Sequence, residues 1–241
     1  MVEVFFNSSA GRIEGLCHYS KDKDSPKVLI LPPHPLRNGN MHNKVVFHLH
    51  KAFAEKGFTV LRINFRGQGK SQGTFDNGIG ELMDASLALE WLHTAQPGGS
   101  KLWVAGFSFG AWVAARIAMR RPEINNFVLA SPPINKYDFS FFAPCPTPGL
   151  IIQGGKDSVV PEEVVLEFAE KLSHQKTPEV LYKAVPEGDH FFRDHLEELE
   201  QIVGEYVHEV INSEEKYQKS LHGKSSYERT MRDSKDTVLL D

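Results

Sequence analysis

The sequence predicts an α/β protein, with a mostly parallel β-sheet covered by helices on both faces. Three observations carry this reading. Short apolar runs alternate five times with stretches of helical periodicity along the 241 residues, the pattern left by strand–helix–strand crossovers. Those runs are apolar nearly throughout rather than at every second position, as expected of strands buried on both sides. One of them, Leu102–Phe107, leads through a glycine-flanked serine directly into a helical pattern.

Taken in order, Val2–Phe6 and Gly11–Tyr19 read as strands, and the Asn7–Ala10 turn joins them as a hairpin. Val28–Leu31 is an apolar run that ends at two prolines, consistent with a buried strand. Val45, Leu49, Ala52 and Phe53 recur at helical spacing, with Gly57 as the stop. Phe58–Phe65 is the next strand, and a glycine-rich loop, Arg66–Gly80, follows it. Leu82, Ala85, Leu89 and Leu92 mark a second helix. After Leu102–Phe107 come a helix over Phe109–Arg120, a strand at Phe127–Ala130 and a loop rich in proline and aromatic residues, Ser131–Pro148. Leu150–Ile152 is a strand. Pro161, tolerated at a first helical position, opens a helix carrying Val164, Val165, Phe168 and Leu172. Val180–Val185 is the last strand, and Leu196, Leu199, Val203, Tyr206 and Val210 give the last periodic helix. The division expected is a domain over 1–211 and a polar tail over 212–241. That tail has no sustained apolar period and balances six Lys and Arg against six Asp and Glu. It reads as a mobile segment or as an arm on a second copy of the chain, a homodimer.

Charge narrows the function. Lys and Arg total 27 against 31 Asp and Glu, a net charge of −4, which argues against binding nucleic acid or an anionic membrane by electrostatics. The longest uncharged stretch, Leu102–Ala115, is too short for a span of about 20 residues. The opening residues lack a basic segment followed by an apolar one, so no signal peptide is expected. Cys17 and Cys145 are far apart and form no metal-ligand spacing; a reducing, cytoplasmic setting fits them. Gly67-Gln68-Gly69 lacks the further glycine and basic residue of a phosphate-binding loop. Nothing in the sequence calls for a metal or an organic cofactor.

Gly106-Phe107-Ser108-Phe109-Gly110 is a G-x-S-x-G motif placed between a strand and a helix. A serine hydroxyl becomes a useful nucleophile when a sharp turn lifts it out of the sheet beside a base, and glycines on either side relieve the crowding. The base needed is one of eleven histidines. His42, His48 and His50 lie on or before the first helix on its polar side, His93 ends a helix, and His174, His195 and His208 fall within helical patterns. His190 instead follows the strand Val180–Val185 in a loop that emerges at the carboxyl edge, where Ser108 also lies. Asp157, in the loop after Leu150–Ile152, is the candidate to orient the imidazole, with Asp138 as its rival; Asp189 is adjacent to His190 and poorly placed for the ring's far nitrogen. The N–H of Phe109 is one expected oxyanion donor. The second is sought in Pro33-His34-Pro35-Leu36, where only His34 and Leu36 have an N–H, and Leu36, lying further out, is favoured.

With Ser108, Asp157 and His190 in that chain order, the sequence resembles the α/β-hydrolase superfamily over roughly residues 1–211. Within it, the likeness is to small, lidless serine carboxylesterases of the dienelactone-hydrolase-like kind. Pro33–Leu36, Arg62–Ser71 and Phe75–Glu81 carry the likeness together with the serine motif. The resemblance implies a three-layer α/β-hydrolase fold with an eight-stranded sheet, no lid domain and Ser108 as nucleophile. Dienelactone hydrolases proper use cysteine, so their substrate does not transfer. Glu81 either braces the oxyanion loop or serves as an acid at a helix start.

The insert Ser131–Thr147 is too short to fold as a lid, so an open site is expected. Phe107, Phe139 and Phe142 either line an apolar acyl pocket or belong to the core, and the same holds for Phe109, Phe141 and Phe192. The expectation is a serine hydrolase acting on small-molecule esters of short to medium acyl chains. Two alternatives stay open: a peptidase or thioesterase with the same three residues, and a non-catalytic binding or scaffold protein.

Overall fold

Apolar strand residues decide the architecture of the molecule, known here from a computed structural model that describes residues 1–96, 98–99, 101–173, 179–213 and 216. β1 (Val2–Ser8) and β2 (Gly11–His18) form the expected hairpin. β3 (Lys27–Leu31), β4 (Thr59–Ile63), β5 (Leu102–Phe107) and β7 (Gly149–Gly154) are buried at every residue. β6 (Ile124–Ala130) and β8 (Val180–Val185) complete one eight-stranded sheet in the order β1-β2-β4-β3-β5-β6-β7-β8. β1–β2 and β2–β4 are antiparallel and the remaining pairs parallel.

Strand residues alternate between two cores. Leu29, Leu31, Leu61, Ile63, Val104, Leu129 and Ile151 belong to a core shared with α2 (Ile79–Ala95), α3 (Phe109–Ala118) and α4 (Glu162–Ser173). On the opposite face Trp103 meets Phe53 of α1 (Lys44–Glu55) and Phe58, with ring centroids 5.8 and 5.4 Å away. Residues 196–204 are helical and lie beside α1, where Glu200 bonds both His48 and Lys51 at 2.7 Å. His50, expected on the polar side of α1, is buried instead. It sits edge-on to His18, and burial followed by the nearby Arg62 charge pushes its pKa down to about 4.

Tight links between β4 and α2 set the surroundings of the site. Arg66 reaches Asp84 of α2 with Nε to Oδ2 at 2.9 Å and Nη2 to Oδ1 at 2.8 Å. Asp84 is fully buried, so the pair is desolvated as well as bidentate. Glu81, also fully buried, accepts from the amides of Asp76 and Gly78 at 2.9 and 2.7 Å. It therefore caps the start of α2. Both contacts fix the segment carrying Phe75, whose ring lies 4.7 Å from that of His34.

The chain divides into units over Met1–Gly204 and Glu205–Asp241. Within the second, residues 205–213 and 216 are helical. Apart from residues 212, 213 and 216, the polar tail expected over 212–241 lies outside the described residues, as does His174.

Removing the Asp84 carboxylate strands a buried guanidinium. Asp84→Ala is expected to lower the unfolding free energy by about 3–5 kcal/mol in urea titration; a loss below about 1 kcal/mol would mean that the pair contributes no more than an exposed one.

Candidate active site

Ser108 sits between β5 and α3 with φ 53° and ψ −118°, a conformation that non-glycine residues avoid. The turn holds because its ends are pinned. The Ser108 amide donates to the Ala130 carbonyl at 2.9 Å, and its carbonyl accepts from Ala111 at 2.8 Å. The turn is also crowded. A Cβ on Gly106 would lie 2.2 Å from the Gly110 carbonyl oxygen, and one on Gly110 would lie 2.3 Å from that of Leu31. Both glycines of the motif are thus steric requirements.

The loops after β7 and β8 bring the other two residues to Ser108. They run against each other through bonds from the Gly155 amide to the Val185 carbonyl, 2.8 Å, and from the Lys156 amide to the Gly188 carbonyl, 2.9 Å. Gly154 permits the approach, since a Cβ there would meet the Gly188 carbonyl oxygen at 2.4 Å. In consequence His190 Nδ1 lies 2.7 Å from Asp157 Oδ2, and His190 Nε2 lies 3.0 Å from Ser108 Oγ. The tautomer that satisfies both contacts carries its proton on Nδ1 and leaves Nε2 free to accept from the serine.

Asp157 is buried, which raises its pKa, but the His190 contact and the amides of Val159 and Val160 outweigh this and hold the carboxyl below its ordinary range. Those amides donate to Oδ1 at 2.7 and 2.8 Å. Gln153 Nε2 donates to Oδ2 at 2.9 Å. The imidazole is fixed in turn. Its ring lies 5.4 Å from that of Phe107 and 5.1 Å from that of Phe191, and the His190 carbonyl accepts from Ser131 Oγ at 3.2 Å. The rival acids serve elsewhere. Asp138 accepts from the Ser140 amide, and Asp189 from the amides of Phe191 and Arg193.

Ser108, Phe109 and His190 open on a cavity of about 440 Å³, walled by Pro33, His34, Pro133, Tyr137, Val159, Val160 and Phe191 and edged by Arg37 and Lys136. A larger groove of about 740 Å³ adjoins it, and Asn43 and Phe191 line both. The smaller space contains Ser108. The His34 ring lies between those of Phe75 and Phe109, with its pKa lowered by burial and by the Arg37 charge.

Two expectations need correction. Leu36 is 68% exposed and does not line the cavity, and its amide donates to His34 Nδ1 at 3.1 Å. A short 3-10 turn over Pro35–Arg37 uses that N–H internally, so of the two candidates only His34 faces the site. Phe139 and Phe142 are buried against Phe168 of α4 and do not line the cavity. Phe107 is buried as well and supports the imidazole from behind. Sequence reasoning missed Gln153, Ser131, Tyr137 and Phe191. The first two stand at or just beyond strand ends with no motif around them. Phe191 adjoins His190 and was the more findable.

A strained serine at a strand-to-helix turn, beside a histidine and a buried carboxylate on this sheet, is the arrangement of the α/β-hydrolase class. The comparisons agree. The chain is 46% identical to a protein of unknown function from Agrobacterium tumefaciens, proposed to be an alpha/beta hydrolase, covering 88% of this chain and 98% of that one with a TM-score of 0.85. It is 31% identical to an alpha/beta serine hydrolase without a lid from Xanthomonas campestris, over 86% of this chain and 94% of that one, TM-score 0.76. An uncharacterized protein of Rickettsia prowazekii is 48% identical over 211 residues, 86% of this chain and 89% of its own length. Residues 38–145 match the family model for serine aminopeptidase, S33. The chain belongs to the α/β-hydrolase superfamily and is a hydrolase. Among the described residues, no helix is long and apolar enough to cross a membrane.

Two outcomes follow from this geometry. Gly106→Ala forces the new methyl group into the backbone of α3 and is expected to lower the melting temperature and the rate together; a variant with native stability and turnover would refute the steric argument. Because the Asp157 pKa is depressed on folding, its carboxylate contributes stability that is present above about pH 4 and lost as pH falls further. Asp157→Asn is expected to flatten that acid limb in denaturation curves taken between pH 5 and pH 2, whereas an unchanged limb would show that the carboxylate is not held by these contacts.

Proposed function

We propose that the protein is a serine carboxylesterase acting on small-molecule esters of short to medium acyl chains. One observation carries the reading: the Ser108–His190–Asp157 relay, at 3.0 and 2.7 Å, opens directly on the 440 Å³ cavity. His190 Nε2 takes the proton as Ser108 Oγ attacks the ester carbonyl carbon. Asp157, an anion at neutral pH, stabilises the imidazolium that forms. The carbonyl electron pair moves onto oxygen, where the Phe109 amide at the start of α3 and the His34 amide supply hydrogen bonds. Collapse of that intermediate expels the alcohol, which leaves with the proton from His190. Water, deprotonated by His190, then attacks the acyl group on Ser108 and frees the acid, restoring the hydroxyl. The modest cavity and the brief segment over 131–148 support small acyl groups. The buried free thiols Cys17 and Cys145 support a reducing, cytoplasmic setting.

The aminopeptidase reading draws on the family model, but its match ends before Asp157 and His190. An aminopeptidase must also receive a cationic amino terminus, and the cavity edge offers Arg37 and Lys136 to it. That charge disfavours such a substrate.

Ser108→Ala is expected to lower kcat on a four-carbon acyl ester by about 10⁴–10⁶-fold and to abolish fluorophosphonate labelling. Normal turnover in this variant would overturn the assignment. Faster cleavage of a thioester or an aminoacyl amide by the unmodified protein would replace the ester reading. Failure of the probe to label Ser108 would favour a non-catalytic binding protein.

A further inference from the structure

The two Lys and Arg side chains that line the cavity, Arg37 and Lys136, face no aspartate or glutamate among the described residues of its lining. Arg37 follows the loop that carries His34, and Lys136 follows β6, so the two cations come from different sides of the Ser108 turn. Both side chains are exposed. Among the described residues, neither forms an ion pair with an acid. Among those residues no aspartate or glutamate lines this cavity, whereas Asp194 and Glu197 line the neighbouring groove. Asp157 is close by but spends its carboxylate on His190 and two backbone amides. The arrangement runs against the whole molecule, which carries a net charge of −4. Arg37 lines the same cavity as Ser108, His34 and Tyr137; the buried Glu81 beyond Tyr137 is occupied by the amides of Asp76 and Gly78.

We infer that Arg37 and Lys136 form an anion-binding edge, and that the preferred substrate is an ester bearing a carboxylate on the acyl group to be transferred. The inference rests on the esterase reading and names its substrate class. An acyl chain seated with its carbonyl at Ser108 and its far end at the cavity edge brings a terminal carboxylate to the two cations. Such a group lies away from the bond being broken. It is held equally in the bound ester and in the transition state, so its effect falls on KM rather than kcat. Both cations being solvated, the preference is modest, about fivefold to tenfold in kcat/KM, and salt screens it.

The test compares monomethyl succinate with methyl butyrate, esters of equal acyl length that differ in the terminal carboxylate, by pH-stat titration of the full chain. The ratio of the two kcat/KM values is read within each protein, so a general loss of activity cancels. The expected ratio is about five to ten, carried by KM, falling toward one in 1 M NaCl. In the double variant Arg37→Gln, Lys136→Gln it falls to about one, and in Arg37→Glu, Lys136→Glu it inverts. The salt series needs no variant and keeps the inference falsifiable if either double variant folds poorly. Equal turnover of both esters by the unmodified protein, independent of salt, overturns the anion preference and leaves the esterase reading intact. Turnover of neither ester, with a thioester or amide cleaved instead, overturns both.

Discussion

The backbone at Ser108 is the constraint on which the rest of the structure depends. A φ of 53° on a serine is costly, of the order of 1–3 kcal/mol, and the surrounding fold has to outweigh that strain. It does so with a strand buried on both faces, bonds at each end of the turn, and two glycines whose hydrogens occupy space that no methyl group fits. This local geometry lifts the hydroxyl off the sheet and aims the first amide of α3 at the same point. A relaxed serine in a wider turn would have the same chemistry and the wrong position.

The second element of the site is the contact between the loops after β7 and β8. Parallel pairing of those strands brings both loops to one edge, and backbone bonds then hold them together. Asp157 and His190 meet because of that backbone contact, 33 positions apart along the chain. Gln153, Val159 and Val160 surround the carboxylate with donors, which keeps it charged despite burial. Ser131 and the two phenylalanine rings restrict the imidazole. The three side chains are therefore held in place by their surroundings before any substrate arrives.

Much of this was legible in the sequence because buried parallel strands announce themselves. Leu102–Phe107 and Val180–Val185 read as strands with the bounds the structure gives them. β6 begins three residues before the expected Phe127, since Asn125 and Asn126 disguise its start. Asn125 accepts from the Leu102 amide at 2.7 Å and so belongs to the pairing of the strand ends. Asp157 and His190 were findable because loop position after a strand fixes which edge a residue reaches. The walls were not. Whether an aromatic residue in a loop faces the core or the cavity depends on rotation about a few backbone bonds, and Phe139 and Phe142 turned toward α4 while Tyr137 turned toward Ser108. Leu36 misled for a similar reason, because the histidine ring two residues earlier captures its N–H.

The convergence of nucleophile, base and oxyanion donors is tested most directly by a crystal structure of the protein after reaction with a fluorophosphonate. The account predicts phosphorus bonded to Ser108 Oγ, with the phosphonyl oxygen about 2.7–3.1 Å from the amides of Phe109 and His34 and His190 Nε2 still facing the serine oxygen. A phosphonyl oxygen turned toward solvent or toward Leu36, or an adduct on another residue, would contradict it.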